Sequence, residues 1–377
     1  MLRRVDRRAT AALTRSAGLA LLACWALLVA PGVGAQGTDG GRDSRERAAS
    51  ERPAAAVAGE RSAAPRLAIP VRCTLGSDCF IQNYVDRDPG PGWRDYACGP
   101  LAYDGHKGTD FRVRSLADME SGFEVLAAAD GMVVATRDGE PDLGLRERGV
   151  EDLRGRDAGN GVRIDHGGGW ETQYSHLKRG SVRVRRGQRV SAGEVLGLIG
   201  LSGRTEFPHL DFAVRHRGLS LDPFAPEGAP ASPDDAPQCP QGPAENTLWR
   251  EEAVEALRYR PSGVLVAGFA GETPDRGRAQ RGEYRAAIDA SAPALVFWIE
   301  VFGLRGGDVE RFEILDPDGK VIARREQPVE RNYAVRFSYG GHRRGESAWP
   351  AGEYLARYWL ERSGRAIART QVRVSVR

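Results

Sequence analysis

Two short segments carry the pattern that decides the fold, GHKGTDF at residues 105–111 and SGRTEFPHLDF at residues 202–212. The first holds a histidine and a carboxylate four residues apart, His106 and Asp110, among glycines that let the backbone curl until both side chains reach one ion. Neutral imidazole and carboxylate are natural zinc ligands. The segment therefore predicts part of a metal site.

The second segment contains His209 and Asp211, two residues apart in a run with the pattern of a β-strand. Side chains two apart on a strand face the same side. A third segment, residues 159–177, is rich in glycine and has His176 next to its end. Each segment alone is weak evidence, but in this order the three form a specific pattern, and all three could meet in one groove.

Residues 105–224 resemble the lysostaphin-like, or LytM-like, zinc endopeptidases of bacterial cell-wall turnover. The resemblance covers less than half of the chain. Carried over by position, it implies that His106 and Asp110 are metal ligands. It also implies that His176 and His209 orient or deprotonate the metal-bound water and stabilise the transition state.

Position 211 departs from the family pattern. Active family members usually end this motif in His-x-His, and the second histidine completes three protein ligands that leave zinc one open position. Here Asp211 stands in its place. A carboxylate oxygen lies two bonds from Cβ, as does Nδ1 of histidine, so Asp211 could still be the third ligand. We then expect one Zn²⁺ per chain, or a harder divalent metal, and a slower peptidase because two carboxylates cancel the charge of the ion.

The function that the resemblance implies is hydrolysis of peptide bonds in peptidoglycan by attack of a metal-activated water. The alternative is a catalytically degenerate lysostaphin-like module that binds or activates other cell-wall hydrolases, since some relatives have lost ligands. A generic secreted protease of proteins is a third possibility. The expected partners are the peptidoglycan peptide and, under the alternative, another cell-wall hydrolase.

Short β-type runs separated by Gly turns predict an all-β chain. Residues 67–224 are the predicted lysostaphin-like metallopeptidase domain, and residues 181–184 are one of its predicted strands. Residues 137–159 are charged and Gly-rich without a sustained period, which predicts a long loop.

A Pro-rich linker over residues 225–244 separates this domain from a second one, residues 245–377. Seven strand-like runs with turn signals between them favour an immunoglobulin-like β-sandwich there. Trp298 and Trp359 are its predicted core aromatics. Because this part holds no catalytic constellation, we predict an accessory domain for binding or spacing.

Residues 1–35 carry the three regions of a secretory signal peptide: arginines, an uncharged run, and the small-residue site Val33-Gly34-Ala35. Retention as a membrane anchor is the main alternative, since the run is just long enough to span a bilayer. Residues 36–66 contain almost no large apolar side chain, which predicts a disordered linker. We expect an exported protein of the periplasm or cell envelope that meets a membrane only if the N-terminal segment is retained.

Removal of the signal peptide leaves an even number of cysteines, namely Cys73, Cys79, Cys98 and Cys239. Three pairings are possible, and we expect two structural disulfides rather than a thiolate metal site because CxxC spacing is absent. Basic and acidic residues nearly balance, 54 against 51, with the arginines scattered. This charge pattern argues against nucleic acid as a partner.

Overall fold

A computed structural model of the chain describes residues 63–149, 153, 155–227, 243–284 and 286–377. The predicted signal peptide, most of the predicted disordered linker, most of the Pro-rich linker and Cys239 lie outside these residues. The described chain consists mainly of β-strands with four short helices, which confirms the all-β prediction. Within the same ranges, no helix has the length and apolar character that crossing a membrane requires.

Before the linker, the described residues form ten strands: β1 (Cys79–Asn83), β2 (Thr109–Val113), β3 (Glu124–Leu126), β4 (Gly131–Arg137), β5 (Asn160–Gly167), β6 (Trp170–Leu177), β7 (Arg189–Val190), β8 (Val195–Leu198), β9 (His209–His216) and β10 (Leu219–Leu221). Two helices accompany them, α1 (Leu116–Ser121) and α2 (Leu145–Arg148). Eight strands form one antiparallel sheet in the order β1-β2-β9-β6-β5-β4-β7, with β10 paired to β9, while β3 and β8 pair separately. This order places β2, β9 and β6, which carry predicted site residues, side by side.

One face of the large sheet is covered by buried aromatic side chains. Phe111 on β2, Phe212 on β9 and Tyr174 on β6 are fully buried. The ring of Phe212 lies 5.3 Å from that of Tyr174 and 5.8 Å from that of Trp249, measured between centroids. Burial of each large apolar side chain stabilises the fold by roughly 1.5–3 kcal/mol. Because side chains alternate along a strand, the neighbours of these aromatics on β2 and β9 face the opposite side.

Two β-bulges bring further side chains to that opposite face. In β1 the register against β2 shifts between Ile81 and Asn83, so that Asn83 lies opposite Asp110. The pairing of β5 with β6 shifts where Ser175 and His176 lie, and His176 has a φ of 63°. A bulge adds one residue to one strand and reverses the alternation beyond it. Asn83 and His176 therefore face the same side as Asp110.

The predicted strand at residues 181–184 is wrong. These residues run beside β8 and donate one backbone hydrogen bond to it, from Arg183 to the carbonyl of Leu196, rather than a ladder of paired bonds. The predicted long loop is confirmed: beyond the end of β4, the described residues as far as 159 form no regular element except α2. Its backbone bonds to the second motif segment, where Arg204 donates to the carbonyl of Asp157.

After the linker come eight strands in the described residues: β11 (Gly263–Ala270), β12 (Ala287–Ile288), β13 (Ala294–Leu304), β14 (Val309–Leu315), β15 (Val321–Pro328), β16 (Tyr333–Arg343), β17 (Gly352–Arg362) and β18 (Arg365–Val376). The helices here are α3 (Glu251–Val254) and α4 (Arg276–Gln280). A sheet β11-β13-β16 and a sheet β12-β18-β17-β14-β15 enclose a common core that includes Phe297 and Tyr358. The two-sheet arrangement is as expected for a sandwich, and its immunoglobulin-like assignment stays a prediction.

The two tryptophans predicted for this core lie elsewhere. Trp298 is buried, but in a small separate cluster with Ala270 and Ala279. Trp359 is half-buried on the outer face of the five-stranded sheet, so its prediction as a core residue is wrong. Its neighbours Tyr358 and Leu360 are both buried, and strict alternation turns Trp359 outward.

The described parts before and after the linker share buried side chains. Leu265 of β11 and Phe302 of β13 belong to the same buried cluster as the aromatic residues of the large sheet. The ring of Phe302 lies 5.4 Å from that of Phe80 on β1. The described residues from 63 onward form one compact unit. A domain division at residues 225–244 stays a prediction.

One of the expected disulfides joins Cys73 to Cys79, the first residue of β1. Cys98 is disulfide-bonded as well. Cys239 lies outside the described residues. The cysteines that the structure describes are thus used in disulfides, as expected for an oxidising compartment.

Candidate metal centre

Asp110 and Asp211 form a cross-strand pair, directly opposite each other on β2 and β9. Asn83 lies beyond Asp110 on β1, and Ser175 lies beyond Asp211 on β6, so one polar row crosses four strands. Like charges directly opposite each other destabilise a sheet. This pair of carboxylates therefore requires positive charge beside it.

His106 provides a third donor from the loop that precedes β2. Its Nδ1 donates a hydrogen bond to the carbonyl of Tyr84 at 2.8 Å. Because a carbonyl only accepts, the neutral ring carries its proton on Nδ1 and leaves Nε2 free as a ligand. Nε2 lies 3.2 Å from Oδ1 of Asp110. Donor atoms of His106, Asp110 and Asp211 all lie within 4.8 Å of one another.

Three donor atoms of this group are buried and have no hydrogen-bond partner in the described part of the chain: Nε2 of His106, Oδ1 of Asp110 and Oδ1 of Asp211. Native proteins leave few buried polar atoms unpaired, since each costs about 1–3 kcal/mol. One imidazole and two carboxylates are a suitable donor set for a divalent metal such as zinc. The residues present therefore fit a metal ion.

Two neighbours shape the donor set. The side-chain amide of Asn83 donates to Oδ2 of Asp110 at 2.7 Å, which orients the carboxylate so that Oδ1 points to the site. Gly108 makes room for the other carboxylate, because a Cβ at that position would lie 1.8 Å from Oδ1 of Asp211. The glycine inside the first motif segment thus has a steric role.

The electrostatics of the group favour a bound cation. Burial disfavours the charged form of Asp110, but the imidazoles of His106 and His209 hold its pKa well below its usual range. Burial and the neighbouring charge of Asp110 raise the pKa of Asp211. Burial would lower the pKa of His106, yet Asp110 and Asp211 raise it to about 9. The two carboxylates thus draw positive charge to this point.

His209 begins β9 and lies on the same face as Asp211, as its spacing predicts. Its Nδ1 donates to the carbonyl of Phe207 at 2.9 Å, which leaves Nε2 directed at the site, 3.4 Å from Oδ1 of Asp110. Burial lowers the pKa of His209 to about 4, although the charge of Asp110 opposes this shift. His209 is therefore a neutral imidazole near pH 7.

His176 reaches the site from the bulge in β6. Its positive φ is uncommon for a residue other than glycine and costs about 1 kcal/mol or more. Nδ1 donates to the carbonyl of Ser202 at 2.7 Å, so that Nε2 is the free nitrogen of the neutral ring. The ring centroid lies 4.7 Å from that of His209. Burial lowers the pKa of His176 as well.

All five residues that the sequence singled out lie in this one cluster, and their individual roles remain predictions. Sequence reasoning missed Asn83 and Tyr103. The ring of Tyr103 stacks on His106 at 4.3 Å and is 52% exposed, so it covers the outer side of the site. Burial and the charges of Asp110 and Asp211 raise its pKa, which keeps the hydroxyl protonated. An aromatic residue three positions before a candidate ligand carries no distinctive sequence signal.

One imidazole and two carboxylates can hold a divalent metal, and two further imidazoles lie beside them. The sequence profile of Peptidase family M23 matches residues 104–223, which contain all five residues. This stretch is a peptidase family M23 domain.

Similar proteins include the peptidoglycan DD-endopeptidase ShyA of Vibrio cholerae, 36% identical over 162 residues, which cover 43% of this chain and 31% of ShyA. The DD-carboxypeptidase/endopeptidase Mpg of Neisseria meningitidis is 39% identical over 120 residues, or 31% of this chain and 26% of Mpg. A solved zinc containing peptidase from Vibrio cholerae matches at 26% identity and a TM-score of 0.25, over 38% of this chain and 39% of that one. The chain thus spans about a third or less of the length of the two curated relatives.

Proposed function

We propose that this protein is an exported, metal-dependent endopeptidase that hydrolyses peptide bonds in peptidoglycan. The observation that carries the proposal is the group of three buried, unpaired donor atoms on His106, Asp110 and Asp211. The match of residues 104–223 to Peptidase family M23 supports a peptidase. The substrate class is supported by relatives such as ShyA, which is named a peptidoglycan DD-endopeptidase.

In this proposal His106, Asp110 and Asp211 hold the metal, and Asn83 orients Asp110 through its hydrogen bond to Oδ2. A bound zinc ion would supply a Lewis acid that polarises the substrate carbonyl and makes water more acidic. The side chains of the cluster are nearly enclosed, since His106 and Asp110 expose 5% and 2% of their surface. Enclosure keeps bulk water from competing for the donors.

His176 and His209 handle protons in the proposed reaction. Each ring donates through Nδ1 to a backbone carbonyl, so each presents an unprotonated Nε2 to the site. Burial lowers the pKa of both rings, and they are therefore neutral and able to accept a proton near pH 7. Once protonated, the same nitrogen can donate to a developing negative oxygen or to the leaving amine.

Asp211 sets the expected rate and metal preference. Two carboxylates and one neutral imidazole cancel the charge of a divalent ion, which weakens it as a Lewis acid. We infer a slower reaction than a site with two histidines and one carboxylate would support. Oxygen donors also suit harder ions, so manganese is a reasonable competitor of zinc here.

Export is part of the proposal because peptidoglycan lies outside the cytoplasm. Its support is the signal-type sequence of residues 1–35 and the use of cysteines in disulfides. N-terminal sequencing of the protein secreted by a bacterial host tests it. A mature N-terminus just after Ala35 is expected, and an intact, membrane-retained N-terminus would support the anchor instead.

The main experiment measures metal content and hydrolysis together. The purified protein is analysed for bound metal by mass spectrometry and is incubated with isolated sacculi, with and without a chelator. Soluble muropeptides are then separated and identified by their masses. We expect about one metal ion per chain and release of cleaved peptides that stops with the chelator and resumes when zinc or manganese is added.

His106→Ala is the diagnostic variant, and His342→Ala is its matched control because His342 is exposed on β16, away from the cluster. His106→Ala should lose both metal and hydrolysis, whereas His342→Ala should keep both. A protein that binds no metal would refute the enzyme proposal. That result would leave the catalytically degenerate module, whose remaining test is whether it increases the activity of another cell-wall hydrolase.

A further inference from the structure

The outer face of the five-stranded sheet carries alternating arginines and glutamates around one tryptophan. In the register of this sheet, Arg369 of β18 lies opposite Trp359 of β17, which lies opposite Arg311 of β14. In the next row Gln371 lies opposite Arg357, which lies opposite Glu313. Trp359 is half-buried, so part of its indole remains open to solvent.

The four glutamates of this face are all paired with arginines. Arg311 pairs with Glu326 and Glu361, Arg324 pairs with Glu313 at 2.7 Å, and Arg373 pairs with Glu353.

The two remaining arginines are Arg357 and Arg369, the ones that flank Trp359. Among the described residues, neither has an ion-pair or hydrogen-bond partner, while Glu313, opposite Arg357, is held by Arg324 instead. The pairs of this face combine three arginines with four glutamates, and the two unpaired guanidiniums beside the tryptophan bring the sum of these charges to +1. Unpaired guanidiniums beside an aromatic ring are suited to an anionic ligand with an apolar face.

A depression of about 440 Å³ lies at this point. It is lined by Arg357, Tyr358, Trp359, Arg369, Thr370 and Gln371. The backbone of β17 is hydrogen-bonded to β14 on one side and β18 on the other, so it cannot pair with an added peptide strand. Recognition therefore depends on side chains: one flat aromatic ring, two guanidiniums and one amide.

We propose that this depression binds a carboxylate-bearing saccharide. The apolar face of a sugar ring would stack on the indole of Trp359. Arg357 and Arg369 would pair with the carboxylate, for which the planar guanidinium is a suitable donor. The amide of Gln371 would bond a hydroxyl or acetamido group. The proposal assigns a ligand to the part of the chain after residue 245 and does not depend on the proposed peptidase activity.

Calorimetric titration of the purified protein with three oligomers tests the proposal. The probe is a hexasaccharide of alternating N-acetylglucosamine and glucuronic acid, its neutral counterpart is the hexamer of N-acetylglucosamine, and its peptide counterpart is hexaglutamate. We expect the acidic hexasaccharide to bind at least about tenfold more tightly than either of the others, which corresponds to about 1.4 kcal/mol. Equal binding of hexaglutamate would overturn the proposal, as would no binding of the acidic hexasaccharide.

Substitutions distinguish stacking of the sugar on Trp359 from general attraction between the anionic ligand and the arginines of the face. Trp359→Ala should weaken binding about tenfold, whereas Trp359→Phe should stay within about threefold because it keeps an aromatic face. Arg357→Ala combined with Arg369→Ala should also weaken binding at least about tenfold. Arg373→Ala is the matched control, since Arg373 lies on the same face but is paired with Glu353; its effect should be within about twofold.

Two outcomes of the variant series would contradict the site. If Arg373→Ala weakens binding as much as the combined Arg357→Ala and Arg369→Ala variant does, the attraction is a property of the whole face. If Trp359→Phe loses as much affinity as Trp359→Ala while both keep the parent's melting temperature, the aromatic ring is not a stacking surface. The melting temperatures also show that a loss of binding is not a loss of fold.

Discussion

Asp110 and Asp211 lie directly opposite each other on two neighbouring antiparallel strands, with one carboxylate oxygen of each buried and unpaired. His106 completes the group, its Nε2 3.2 Å from Asp110. A cross-strand pair of like charges is unfavourable by itself. A divalent cation between the two carboxylates would remove that cost, so the stability of this part of the sheet should be linked to metal binding.

The first prediction concerns the residue at which the chain departs from the family pattern. Asp211→Ala should lower zinc affinity at least about 100-fold, because loss of a residue that only hydrogen-bonds a ligand already lowers metal affinity by about 10–100-fold. Asp211→His should bind zinc at least as tightly as the parent. Competition with a chromophoric chelator measures both. The control is Asp157→Ala, because Asp157 is an exposed acidic residue of the long loop. If Asp211→Ala binds zinc as tightly as the parent, Asp211 is not a ligand.

The second prediction concerns Asn83, which donates to Asp110 and is not among the proposed ligands. Asn83→Leu keeps the volume and removes the donor, so metal affinity should fall by about 10–100-fold. Ser175→Ala is the control because Ser175 lies in the same row and accepts its hydrogen bond from Gln173. Equal affinities in the parent and Asn83→Leu would show that the carboxylate is oriented without this bond.

The third prediction separates ligands from proton-transfer residues. His176→Ala and His209→Ala should keep about one metal ion per chain and should lower the rate of muropeptide release by about 10²–10⁴-fold. Metal analysis and chromatography of the digest measure the two quantities on the same samples. Loss of the metal in either variant would mean that the histidine belongs to the ligands.

The fourth prediction concerns stability and pH. Burial raises the pKa of Asp222 to about 7, while the backbone amide of Phe224 and the charge of Arg87 oppose the shift. Its Oδ1 accepts from that amide at 2.9 Å, and its buried Oδ2 has no partner in the described residues. An acid whose pKa is higher in the folded than in the unfolded chain stabilises the fold at low pH. This stabilisation is lost as the pH rises from about 4 to about 7.

Asp222→Asn removes that charge and keeps the acceptor for Phe224. At pH 8 the variant should therefore be more stable than the parent by an amount on the order of a few kcal/mol, and the difference should vanish near pH 4. Urea unfolding at a series of pH values measures it. A difference that is constant with pH would show that Asp222 is ionised in the folded chain throughout this range.

Local patterns predicted much of the candidate site. The period of two along a strand put His209 and Asp211 on one face, and both lie there. The four-residue spacing and the glycines of the first segment predicted that His106 and Asp110 converge, and their donor atoms do. These predictions succeeded because each depends on residues close together in the chain and on backbone geometry that neighbouring side chains determine.

The sequence did not predict the features that depend on how strands pair. Strict alternation from Ile81 and Tyr174, both buried, would put Asn83 and His176 on the core side, and two bulges turn them to the site instead. A bulge depends on the register between strands, which local sequence does not reveal. Trp359 follows regular alternation, but which of the two faces of β17 is buried depends on the sheet that packs against it. The missing ladder at residues 181–184 likewise depends on the strand beside them.

Composition and short-range periodicity were enough to predict the all-β character of the chain, and the order of the motif segments was enough to select the five residues of the candidate site. The pairing of distant strands places Asp110 opposite Asp211, brings Asn83 to Asp110 as a hydrogen-bond donor, and stacks Tyr103 on His106. The same register places Arg357 and Arg369 beside Trp359, with no ion-pair partner among the described residues. Local sequence does not encode these contacts, because register and packing between distant segments select the partners in a sheet.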